Sequence, residues 1–100
     1  MDMVATMVIE NHIVDVEVPG PGLYEITGDL NERLKALQIE SGLMTLFIQH
    51  TSASLLIQEN ADPSAKRDLE VWLNRLVPEN DVIYSHVAEG ADDMPAHIKA

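Results

Sequence analysis

Pro19-Gly20-Pro21-Gly22 is a stop that no regular element runs through. Proline lacks the backbone donor, and glycine gains nothing from a fixed conformation. Residues 7–18 therefore form a segment of their own. From Ile13 on, Val14, Val16 and Val18 alternate with Asp15 and Glu17. β-Branched residues at period two predict a strand with one buried face. His12 falls on that strand and reads as a surface residue rather than a ligand.

Beyond the stop, Tyr24-Glu25-Ile26-Thr27 leads into Leu30, Leu34 and Leu37 at helical spacing. Thr27 is the expected cap, Asp29 and Glu32 suit the first turn, and Gly42 is the expected close. Leu43 to Ile48 is a continuous apolar run, as in a strand buried on both faces. Leu55-Leu56-Ile57 predicts another strand. Asp62-Pro63 is a strong helix start, with Asp as cap and Pro at the first position. Ala65, Leu69, Trp72, Leu73 and Leu76 form the expected buried stripe of that helix, which Pro78 ends. Val82-Ile83-Tyr84 predicts a short strand. Asp92 or Asp93 is placed to cap a last helix, with Pro95 in its first turn.

That order predicts one α+β domain over residues 1–100, with mixed or antiparallel sheets and two to three helices. A helix beginning so close to residue 100 has little to pack on, so further strands are expected to follow. Tyr24, Phe47, Trp72 and Tyr84 are the only aromatics, so any core is mostly aliphatic.

There is no cysteine, which removes disulfides, a thiolate nucleophile and Cys-based zinc sites. Met1-Asp2-Met3 opens no basic-then-apolar leader, and no apolar run approaches the ~18 residues of a membrane span. A cytoplasmic location is expected. The formal net charge of −11 disfavours nucleic acid and anionic lipid as partners. An anionic small molecule would need a locally positive site, which a metal ion supplies.

His50 follows an apolar run and keeps the parity of Met44, Leu46 and Ile48; His86 follows Val82-Ile83-Tyr84; His97 lies near a helix start. Three neutral imidazoles suit zinc and similar divalent ions, with a fourth position open. Ordinary polar contacts for each histidine remain the competing reading, since the 50/86/97 spacing matches no compact ligand motif. Glu59, Asp62, Glu89, Asp92 and Asp93 are near enough in sequence to orient the imidazoles. Thr51, Ser52 and Ser54 lack the Gly-x-Ser-x-Gly elbow of a serine nucleophile. Asp62 has a structural job as a cap; Glu59 and Asn60 are freer to line a site. No Gly-rich phosphate loop is present.

Gly42-Leu43 through His50-Thr51-Ser52-Ala53-Ser54-Leu55, followed by Gln58-Glu59-Asn60-Ala61-Asp62-Pro63, resembles a signature of the YjbQ-like family. Tyr84-Ser85-His86 and the run from Glu89 to Ala100 resemble a second. Tyr24 to Thr27 and Asp68-Leu69 also fit, so the resemblance spans nearly the whole chain. It implies a compact α+β domain assembled as a homotrimer, and members that continue for some 35–40 further residues with more strands. It also implies a weak thiamine-phosphate synthase activity at a pocket where His50, His86 and His97 hold a divalent metal, zinc or magnesium. In that pocket Glu59 or Asp93 would move protons, and Thr51, Ser52 and Asn60 would bind a small-molecule substrate. A metal-dependent hydrolase of a phosphorylated substrate, or a non-catalytic trimeric metal- or ligand-binding module, stays open beside it.

Overall fold

The computed structural model describes residues 7–100. Among the described residues there are three helices: α1 (Thr27–Ala36), α2 (Pro63–Leu76) and α3 (Asp93–Lys99). No described residue lies in a strand. The α+β expectation, with its sheets, is therefore overturned.

The reason lies in what a strand is. A helix closes its hydrogen bonds within itself, whereas a strand exists only through a neighbour that takes up its N–H and C=O groups. Residues 7–18, 42–50 and 53–61 carry the right side-chain pattern but run without a pairing ladder. Leu43, Phe47 and Ile57 stand almost wholly in water. At residues 82–84 a local competitor wins. Asp81 accepts from the Ile83 N–H through Oδ1 at 3.0 Å, and its carbonyl accepts from the Tyr84 N–H at 3.1 Å. That folds the expected strand into an Asp-centred turn. The Tyr84 hydroxyl then donates to the Pro78 carbonyl at 3.0 Å.

The helices follow the sequence more closely. α2 starts where Asp62-Pro63 predicts: Asp62 Oδ1 accepts from the Ser64 N–H at 2.8 Å and from the Ser64 hydroxyl at 2.7 Å. Its end is set by Pro78, with the Val77 N–H returning to the Leu73 carbonyl at 2.9 Å. α1 begins with Ile26, not Thr27, in the cap position and has no side-chain cap. It also stops before Gly42, because Gln38 takes the left-handed conformation, φ 55°, that ends a helix. α3 has Asp92 at its cap and Pro95 in its first turn, as expected.

Trp72 does not fill a core; it is 58% exposed. Pro95 is the one buried residue among the described ones. The radius of gyration is 18.9 Å, against about 13 Å for a compact chain of this length. α3 is tied to α2 by Lys99, whose ammonium donates to Asn74 Oδ1 at 2.6 Å. None of the helices is long and apolar enough to cross a membrane. The reading of the N-terminus falls on residues 1–6, outside the described residues.

The Ser64 hydroxyl, then the Ser64 N–H, hold the Asp62 carboxyl below its ordinary value of 3.8. A depressed carboxyl contributes stability above its unfolded value and loses it as pH falls through its folded value. The first turn of α2 should therefore fray below pH 3.8. At neutral pH, Asp62→Ala should speed exchange of the Ala65 and Lys66 amides, whereas Asp62→Asn should largely keep their protection. Equal exchange in all three proteins would show that the cap is idle.

Candidate metal centre

Gly90 brings the second motif together. Its φ of 111° is a conformation that side chains rarely adopt. The Gly90 N–H donates to the Val87 carbonyl at 3.3 Å, and the Gly90 carbonyl accepts from the Asp93 N–H at 3.4 Å. Two tight turns thus fold residues 87–93 back, so that His86 meets the first turn of α3. Asp93 and His97 lie one helical turn apart and share a face.

The three side chains converge on one carboxylate oxygen. Asp93 Oδ2 lies 2.9 Å from His86 Nε2 and 3.2 Å from His97 Nε2. The two rings meet edge to face, with centroids 5.4 Å apart. All three donor atoms fall within 4.8 Å of one another. Asp93 Oδ2 is shut off from solvent and yet has no hydrogen-bond partner. The distances to both nitrogens suit hydrogen bonds; the directions do not. An orphaned carboxylate oxygen is costly unless a cation or another donor satisfies it. Bonds of about 2.0–2.1 Å to a tetrahedral ion place neighbouring donors roughly 3.3 Å apart. The two short edges found here, 2.9 and 3.2 Å, are close to that. This donor set fits a divalent transition metal. The outward sides of His86 and His97 stay half exposed, which leaves room for a further ligand.

His50 is not part of this cluster. Its Nδ1 accepts from the Ser52 N–H at 3.1 Å and lies 3.2 Å from the Ser52 hydroxyl. A backbone N–H can only donate, so Nδ1 carries the lone pair and the ring proton of neutral His50 sits on Nε2. In this arrangement the imidazole is a donor with no nitrogen free for a metal. Thr51 and Ser52 form the turn around it, and Ser52 is thereby engaged with His50. Glu59 is exposed and Asn60 half-buried, in the irregular stretch leading to α2. Among the described residues no hydrogen bond or ion pair joins Thr51, Ser52, Glu59 or Asn60 to the His86 cluster. Asp93, expected to orient the imidazoles or to move protons, lies at the centre of the donor set. The signal for that was its four-residue spacing from His97.

Residues 12–100 match the family described as UPF0047 protein YjbQ-like. The UPF0047 protein sll1880 of Synechocystis is 41% identical over 96 residues, covering 96% of this chain and 65% of that protein. The UPF0047 protein YjbQ of Salmonella typhimurium is 45% identical over 80 residues, covering 79% of this chain and 57% of that protein. A more distant relative, the UPF0047 protein YugU of Bacillus subtilis, is 31% identical over 78 residues, 78% of this chain and 57% of that protein. The chain thus spans less than two thirds of the length of these relatives. No solved structure matches it significantly.

Neutral His50 should be the Nε2–H tautomer, held so by the Ser52 N–H. Long-range proton–nitrogen correlation on labelled protein, above the pH at which the ring titrates, reads this directly. A proton on Nδ1 would contradict the arrangement.

Proposed function

The chain belongs to the YjbQ-like UPF0047 family, and from that premise we propose that it holds a divalent transition metal on His86, Asp93 and His97 and uses it to take up a phosphorylated small molecule. One observation carries this reading. Asp93 Oδ2 is withdrawn from water, lies between two imidazole nitrogens, and accepts no hydrogen bond. Two imidazoles and one carboxylate favour zinc and its neighbours over magnesium, which prefers oxygen donors throughout.

Each residue has a separate task. Asp93 carries the charge that would draw the cation to a point between the two imidazoles. His86 and His97 supply nitrogen donors from opposite sides of the turn at Gly90. A bound ion supplies positive charge for phosphate oxygens, in a chain whose net charge of −11 otherwise repels them. His50, with Nδ1 occupied, presents an Nε2–H donor suited to a phosphate oxygen rather than a lone pair suited to metal. Thr51, Ser52 and Asn60 offer neutral donors on the same stretch. With Asp93 committed to the cation, Glu59 is the carboxylate left to move a proton.

The reaction implied by the family resemblance is weak thiamine-phosphate synthesis. A pyrimidine methylene bonds to a thiazole nitrogen, and its bond to the diphosphate oxygen breaks. Charge grows on the leaving pyrophosphate, and stabilising it is the work that a cation and nearby N–H donors perform. The homotrimer belongs to the same proposal. Leu43, Phe47, Val82 and Ile83 are at least 80% exposed, and contact between copies would take them out of water.

Purified protein should retain close to one zinc per chain by elemental analysis. His86→Ala, Asp93→Asn and His97→Ala should each weaken zinc affinity by at least about 10-fold, the effect that even indirect partners of a metal have. His50→Ala should leave zinc affinity unchanged. Equal affinity in all four variants would remove the site. With zinc and both substrates, thiamine phosphate should form above background. Zinc retention without any product would leave a binding module and end the synthase reading.

A further inference from the structure

α3 has few means of its own to stay helical. It is seven residues long, well below the ~12–15 residues at which isolated helices become even marginal in water. Its cap residue Asp92 makes no side-chain capping bond. Its one side-chain hydrogen bond to another element is Lys99 to Asn74, at an exposed end. Pro95 is its only buried residue. Against this, two of the three candidate donors, Asp93 and His97, lie on one face exactly one turn apart, so they converge only when residues 93–97 are helical. The third, His86, reaches them only when the chain turns at Gly90.

We infer that metal binding and the folding of residues 86–99 are one coupled equilibrium, with the ion acting as the staple that closes the Gly90 turn onto α3. This rests on the metal reading of the cluster and goes beyond it. A site whose donors meet only in the folded form turns binding free energy into folding free energy. The ion spans two contacts at once. Held by Asp93 and His97, an ion would fix the first turn of α3, and held also by His86 it would close the loop that enters it. Loop closure over so few residues costs little entropy, so most of the binding free energy is left to hold the helix. α1 and α2 contain none of the three donors and should be indifferent to the ion.

The test is amide hydrogen exchange on the whole chain, metal-free and with zinc at about 100 times its dissociation constant. Cobalt(II) absorption reports binding independently. Exchange at Ala96, His97, Ile98, Lys99 and Ala100 should slow by up to about 100-fold, the suppression of opening that this degree of saturation gives. Leu30 in α1 should not change. Asp93→Asn at the same zinc concentration should cut the protection of residues 96–100 by at least about 10-fold and keep the exchange rate of Leu30. A cobalt spectrum with unaltered exchange at 96–100 would overturn the coupling and leave the site standing. Uniform slowing along the chain would overturn it as well, since the effect would then not be local. No cobalt spectrum at all would remove the metal reading together with this inference.

Discussion

Apolar side chains stabilise a fold only by leaving water, at about 25 cal/mol for each Å² withdrawn. In this chain they scarcely leave it. The accessible surface is 9249 Å², where a compact protein of the same mass exposes about 5,700 Å². No hydrophobic side chain among the described residues is buried. What holds the structure is therefore local: helical hydrogen bonds, the Asp62 cap, the Asp81 turn and the turn at Gly90. Every well-formed feature joins residues close in sequence, and the Lys99–Asn74 bond is the longest-range side-chain hydrogen bond among the described residues.

The same constraint explains why His86, Asp93 and His97 meet while His50 does not join them. His86, Asp93 and His97 lie within twelve positions of one another, and a turn and a short helix suffice to gather them. His50 stands on an exposed stretch that no neighbouring element holds against α3. Its Nδ1 takes a near donor, the Ser52 N–H two residues on. Its tautomer is thus set by its own loop rather than by a shared site.

What could be read from the sequence divides along the same line. Asp62-Pro63 signals its helix because cap, proline and first turn are adjacent, and α2 begins there. Asp93 and His97 carry their meeting in their spacing. The strands were legible as patterns but not as structure, because alternation in residues 13–18 says which face would be buried and nothing about what buries it. Trp72 failed for the same reason: the stripe on α2 is real, but Ala65, Leu69 and Leu73 are only half-buried and Trp72 and Leu76 stay exposed. Two local features escaped for a different reason. Gln38 ends α1 ahead of Gly42, although glycine is the residue that usually does so. Gly90 carries no separate signal in the sequence, because its value lies in a positive φ that composition does not reveal.

The proposed metal reading and the acidity of the chain meet at Asp93. A net charge of −11 repels phosphate at long range, but salt at physiological strength screens charges beyond about 8 Å. What decides binding is the charge in contact. At 4 Å, with the effective dielectric of a protein surface, two unit charges interact by about 4 kcal/mol. On the proposed reading, a divalent ion on two neutral imidazoles and one carboxylate would leave a net charge of about +1 at that distance. Without the ion the same spot carries the negative charge of Asp93 and would turn phosphate away. The carboxylate that makes the site attractive to a cation is thus also what makes it closed to an anion until the cation arrives. If the proposed reading holds, the sign of one side chain would set the order of uptake, metal before phosphate.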